Sequence, residues 1–206
     1  MRTCEHCARP LRSWARADAR YCSARCRVAA HRTRRRRDPH GLPPELTSRP
    51  RWVTRRGKRP VDARTGAWAS TTDPTTWTTY EAARATGQPL GFVLGDGIGC
   101  IDLDHCLDEH GIPNPVAREL LAYYAGSYVE VSPSGRGLHI WGTAAERRGF
   151  KRSWKGQAIE FYSTGRYITI TGHVHQAGAL LPLYPPPGGP RAPPPDRDFH
   201  QTAQGV

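Results

Sequence analysis

Gly99-Cys100-Ile101-Asp102-Leu103-Asp104-His105 reads as an apolar strand interrupted by two aspartates two residues apart. Side chains alternate faces along a strand, so Asp102 and Asp104 point one way while Ile101 and Leu103 point the other. Charge in so apolar a stretch is costly without a cation or partner. Two carboxylates fixed side by side suit a hard divalent cation, Mg²⁺ or Mn²⁺. Downstream, Ser132-Pro133-Ser134-Gly135-Arg136-Gly137-Leu138-His139-Ile140-Trp141 and Ala158-Ile159-Glu160-Phe161-Tyr162 repeat the pattern. His139 lies between Leu138 and Ile140, and Glu160 between Ile159 and Phe161, so each faces away from an apolar side. Ser134-Gly135-Arg136-Gly137 forms a glycine-rich turn that offers backbone N–H groups, a hydroxyl and a guanidinium to a phosphate. Taken alone, the same turn suits a flexible hairpin loop.

The neighbouring segments supply a fold class. Asp73-Pro74 places an N-cap before a proline at the first helical position, and a helix is expected from there to Gly87, with Trp77, Tyr80 and Ala83 on one face. Leu90 to Leu94 and Cys100 to Leu103 are strand-like, and Gly95-Asp96-Gly97 between them is a hairpin signal. Asn114-Pro115 opens a second helix with Val116, Leu120, Leu121 and Tyr124 as its buried stripe. Tyr128 to Val131, Leu138 to Trp141, Ile159 to Tyr162 and Tyr167 to Thr171 are further strands. Strands outnumber helices, so the expected class is α+β, a mostly antiparallel sheet with helices on one face. The catalytic domain is set at 51–175, after a linker at 39–50 whose apolar residues could pack against that domain. A Pro/Gly-rich tail at 176–206 is expected to be extended or disordered. No internal repeat is visible.

With 206 residues and 37% apolar content, the chain can hold one medium domain with appendages. The formal charge is +12, and residues 1–38 carry twelve Arg against three acids, a net of +9. Such a concentration fits a module that meets a polyanion, or else a solvated basic tail. Arg outnumbers Lys 27 to 3. No apolar leader or membrane-length run is present, so a soluble cytoplasmic protein is expected, with cysteines as ligands or core residues. Cys4-x2-Cys7 and Cys22-x3-Cys26 are two close pairs spaced for a tetrahedral structural Zn²⁺. The second pair leads into a helix with Ser23 as a possible cap, carrying Arg27, Arg32 and Arg34 to Arg37. Thiolate ligation would fold 1–38, which has almost no apolar core. The alternative is four unrelated cysteines in a disordered tail. His6 and His31 are assigned to surface or phosphate contacts.

Together these residues resemble the archaeo-eukaryotic primase superfamily, in particular its bifunctional DNA primase/polymerase (prim-pol) branch. Ile101-Asp102-Leu103-Asp104 looks like its first motif, Ser132 to His139 like its extended second, and Glu160 stands where its third has a carboxylate. The resemblance covers about residues 51–175 and leaves the finger and the tail outside. It implies an RRM-like antiparallel sheet core with an extra N-terminal α/β unit, and template-directed nucleotidyl transfer on single-stranded DNA. In that chemistry two divalent ions activate a 3′-hydroxyl and neutralise departing pyrophosphate. Asp102, Asp104 and Glu160 are assigned to Mg²⁺ or Mn²⁺, and His139, Ser134 and Arg136 to an incoming nucleoside triphosphate. Lys58 and Arg166 are candidates for phosphate or template contacts, with surface charge as the alternative. The finger would grip template or a start site, near the nucleoid. No P-loop is present, so a separate replicative helicase is expected to unwind the duplex. The proline-rich end suggests a stand-alone form or part of a split system. Two rivals remain: a metal-dependent nuclease, and a non-catalytic zinc-finger DNA-binding protein with a degenerate primase domain.

Overall fold

The computed structural model describes residues 2–5, 7, 9–12, 14–16, 18–29 and 41–185. The chain divides into two compact units, Met1–Pro39 and His40–Val206. In the first, Thr3 and Pro10 form an antiparallel bridge and helix α1 is described over 24–29. Ser23 caps it as the sequence suggested, its Oγ accepting from the Cys26 N–H at 3.1 Å. Among its described residues the buried apolar side chains are Cys4, Leu11 and Cys26. His6, His31, Arg32 and Arg34 to Arg37 lie outside the described residues.

The second unit is α+β. Its elements are α2 (Pro44–Thr47), β1 (Trp52–Arg56), β2 (Arg59–Val61), α3 (Tyr80–Ala85), β3 (Leu90–Val93), β4 (Ile98–Leu103), α4 (Pro115–Tyr123), β5 (Tyr128–Val131), β6 (Leu138–Thr143), β7 (Phe150–Trp154), β8 (Gln157–Tyr162), β9 (Tyr167–Ile170), β10 (Val174–Gln176) and β11 (Leu181–Pro182). They build two sheets: four strands in the order β2-β1-β3-β9, and seven in the order β10-β5-β6-β4-β8-β7, with β11 added in parallel to β6. All other pairings are antiparallel.

Three expectations are corrected. The Gly95-Asp96-Gly97 turn exists, with Ile98 N–H bonding Gly95 O at 3.1 Å, but it does not close a hairpin. It passes the chain from β3 in the smaller sheet to β4 in the larger one. The single helix from Pro74 to Gly87 is two pieces, a 3-10 turn over Pro74–Thr76 and then α3. Between them Trp77 is extended and Thr78 exchanges both backbone hydrogen bonds with Trp52 of β1. Thr75, Thr76, Thr78 and Thr79 favour local hydroxyl bonding over helix; Thr79 Oγ1, for one, accepts from Ala82 N–H and caps α3. Finally, packing extends past residue 175 into the expected tail, where Leu180 and Leu183 are buried around β11. Leu42 and, within α2, Leu46 are fully buried, the linker packing that its apolar residues allowed.

The larger sheet sorts its residues by register. Val129, Ile140, Ile101, Phe161 and Phe150 stand opposite one another on β5, β6, β4, β8 and β7. They face one core, shared with Ala117 and Leu120 of α4, which Asn114 starts by accepting from Ala117 N–H at 2.8 Å. On the other face, Tyr128, Trp141, Cys100 and Tyr162 form a row that packs against Trp52, Phe92, Ile168 and Ile170 of the smaller sheet. That second core covers only part of its face. The next row, two residues further along each strand, is polar.

Candidate active site

The polar row is Glu130, His139, Asp102, Glu160 and Lys151, on β5, β6, β4, β8 and β7 in turn. Paired residues in an antiparallel ladder share a face, so five consecutive strands aim five ionisable side chains the same way. His139 stands between two carboxylates: its Nε2 lies 3.8 Å from Asp102 Oδ1, and its Nδ1 lies 3.5 Å from Glu130 Oε1. At the other end, Lys151 Nζ and the Tyr162 hydroxyl each donate to Glu160 at 2.6 Å. Glu130 is fully buried, and its Oε2 accepts from Thr171 N–H, Thr171 Oγ1 and Gly172 N–H at 3.1–3.3 Å. That bond set ties β5 to the segment after β9. Asp102 Oδ1, Glu130 Oε1 and His139 Nδ1 are buried without a hydrogen-bond partner.

The electrostatics single out Asp102. Burial pushes its carboxyl above the ordinary range, Asp104 and Glu160 push the same way, and His139 opposes them. Burial also works against ionisation of Glu160, but the hydrogen bonds from Lys151 and Tyr162 outweigh it and hold that carboxyl low. Tyr162 is pushed up to about 12, by burial first and then by its bond to Glu160. An anion that burial disfavours, with a buried oxygen left unmatched, fits a cation ligand.

The row opens on a cleft of about 930 Å³. Asp102, Asp104, Glu160, His139 and Ser134 line it, and so do Lys58 and Arg166. Arg136 is not among the lining residues, and its carbonyl accepts from Leu107 N–H. Gly135 at φ 74° makes the Ser134 turn, and Gly137 leaves room where a Cβ would lie 2.7 Å from Leu103 O. Asp104 falls just beyond β4 and is exposed, so the two aspartates share the cleft but not the strand. The three carboxylates do not converge as closely as the cysteines do, Glu160 being drawn toward Lys151.

In the N-terminal unit the Sγ atoms of Cys4, Cys7, Cys22 and Cys26 all lie within 4.8 Å of one another, with pairs at 3.5, 3.6 and 3.8 Å. All four are free thiols. A tetrahedron with Zn–S bonds of about 2.3 Å has edges of about 3.8 Å, so the cluster could hold a metal such as zinc. Arg9 donates to Cys7 and lowers its pKa, whereas Cys22, hydrogen-bonded to Cys26 and Cys7, is pushed up to about 12. Such proton sharing is what crowded thiols do until a cation replaces the protons.

No protein-family model matches the chain. A curated relative does. The chain is similar to the DNA Primase-polymerase of Nitratiruptor phage NrS-1, 41% identical over 128 residues. The match covers 57% of this chain but only 18% of the phage protein, so the chain spans less than a fifth of that relative's length. The similarity supports a prim-pol family for the chain.

Glu130, Lys151 and Arg55, which also lines the cleft, were not among the residues expected from sequence. Glu130 could have been found by the logic applied to Asp102, since Tyr128-Val129-Glu130-Val131 is also an apolar strand interrupted by an acid. Lys151 and Arg55 carry no such signal. Only the strand register, β7 beside β8, brings Lys151 to Glu160. Among the described residues no helix is long and apolar enough to cross a membrane.

Proposed function

We propose that this cleft joins nucleoside triphosphates on a single-stranded DNA template, making or extending primers. The observation that carries the reading is the register-aligned row Glu160–Asp102–His139, with Asp104 beside it and Ser134 and Lys58 across the same cleft. Mg²⁺ or Mn²⁺ held by Asp102, Asp104 and Glu160 would supply activation of the 3′-hydroxyl and neutralisation of the leaving pyrophosphate. The protein's own groups do the rest. His139 and Ser134 grip the triphosphate, with Arg166 and Lys58 as cationic partners along the cleft. Glu130 orients the imidazole by facing Nδ1, which leaves Nε2 on the cleft side next to Asp102. Tyr162 and Lys151 hold Glu160 ionised when nothing else does. On this reading the larger sheet is the RRM-like core, the four-cysteine module with zinc grips template, and a separate helicase in the cytoplasm supplies the single strand at the nucleoid.

Template-directed synthesis tests it. Purified protein, single-stranded DNA, labelled nucleotides and Mg²⁺ or Mn²⁺ are expected to yield product without an added primer. Asp102→Asn together with Asp104→Asn should cost about 10³-fold or more, equivalent to about 4 kcal/mol of lost transition-state stabilisation. Extension of supplied primers alone would narrow the activity to a polymerase. Cleavage of the DNA without synthesis would replace this reading with the nuclease, and binding with neither reaction would leave a DNA-binding protein.

A further inference from the structure

The β1–β2 hairpin has two faces, and the cleft uses only one. Arg55 pairs with Pro60, and both line the cleft with Lys58 at the turn. Arg56 pairs with Arg59, so these two side chains stand on the opposite face. There they meet Trp68, whose ring has the Arg59 guanidinium 4.0 Å from its centroid and that of Arg56 at 5.6 Å.

Trp68 is 48% exposed, yet its backbone is fixed. It forms an antiparallel bridge with Val61, flanked by Asp62 N–H to Ala67 O at 2.9 Å and Ala69 N–H to Pro60 O at 3.0 Å. The exposed part of this indole lies outside the core clusters and is free to meet a ligand. Apart from the contact of Arg56 and Arg59 with the indole, the cations here are not neutralised: among the described residues no carboxylate pairs with Arg56, Lys58 or Arg59. A rigid, half-exposed indole with two guanidiniums over it, neither neutralised by a carboxylate, offers a stacking surface for a nucleobase and cations for its adjoining phosphates. A duplex does not fit that chemistry, because its bases are already stacked on one another. A single strand in the cleft can turn around the hairpin, meeting Lys58 at the turn and the two arginines beyond.

We infer that Trp68, flanked by Arg56 and Arg59, is a stacking platform for a base of single-stranded DNA passing from the cleft around the β1–β2 hairpin. The inference rests on the proposed function and extends it to a second point of contact with the template.

The test reads Trp68 locally, because the cysteine module can also bind DNA and mask a loss of affinity. The full chain is labelled with 5-fluorotryptophan, and Trp68→Phe assigns the Trp68 fluorine resonance. A short single-stranded oligodeoxynucleotide should shift that resonance, and the matching duplex should not. A Trp68 resonance unmoved at saturating single strand, or moved equally by duplex, overturns the platform. Primer synthesis by the wild type alongside a silent Trp68 sinks only this inference. A chain that binds no single strand at all sinks both it and the catalytic reading.

Discussion

In the N-terminal unit four thiols converge, and among the described residues the buried apolar side chains around them are few: Cys4, Leu11 and Cys26, two of them thiols themselves. In the sheet unit a charged row from Glu130 to Lys151 lies beside the apolar row Tyr128, Trp141, Cys100 and Tyr162, which packs against a second sheet. Both regions gather polar groups that repel or compete, but the gathering has different consequences. The cysteines are what the first unit is built around, so their demand for a cation is a demand of the fold. The charged row is carried by a sheet whose stability comes from elsewhere, so its demand is one of chemistry. On the proposed reading, the same physical signature, unmatched polar atoms in close company, marks a structural centre in one region and a reactive centre in the other.

The largest effect that can break this comparison is metal removal. A zinc chelator, or Cys22→Ser, should abolish the ordered structure of the first unit and leave the second folded, as read from amide dispersion in a ¹H–¹⁵N spectrum. A first unit that keeps its dispersion without metal would mean that its thin apolar cluster suffices. Next in size is an apolar deletion. Leu46 is fully buried in the core between the sheets, and its carbonyl accepts from the Trp52 indole N–H at 3.1 Å. Leu46→Ala should cost about 2–5 kcal/mol in denaturant unfolding of the sheet unit. The metal content of the cysteine unit should stay unchanged.

How much of this was legible in the sequence depended on whether the signal was local. Alternation turned Asp102, His139 and Glu160 each away from the apolar side of its own strand, and side-chain period needs no partner to be read. Asn114 and Ser23 were legible for the same reason, since a cap acts within one turn. The division into two sheets was not. Gly95-Asp96-Gly97 specifies a reversal, but whether its flanking strands pair depends on Trp52, Phe92 and Ile168 packing across from Trp141. Likewise the break at Trp77 comes from Thr78 pairing with Trp52, a contact 26 residues away in the chain. The Lys151–Glu160 and Glu130–His139 neighbours were hidden too, because strand register is a property of pairs.

The smallest effect is the one that separates fold from chemistry most cleanly. Burial raises the Asp102 carboxyl, chiefly through lost hydration and then through Asp104 and Glu160. A carboxyl whose pKa is higher in the folded state ionises at a cost to folding. The cost is absent at pH well below both values, grows as pH rises through the unfolded and then the folded pKa, and is complete above the latter. At neutral pH the wild type therefore bears the whole of it. Asp102→Asn removes the charge with little change in shape, so it should raise thermal stability at neutral pH while abolishing synthesis. The expected gain is on the order of 1 kcal/mol, roughly 2–4 °C in Tm for a chain of this size. On acidification the wild-type and variant curves should approach each other, because the wild-type carboxyl protonates. The opposite result, a variant that melts lower at neutral pH, would mean that the ion pair with His139 at 3.8 Å outweighs the repulsion and desolvation around Asp102. The charged row would then be holding the sheet together, as the thiols hold the first unit, and the two regions would no longer differ in kind.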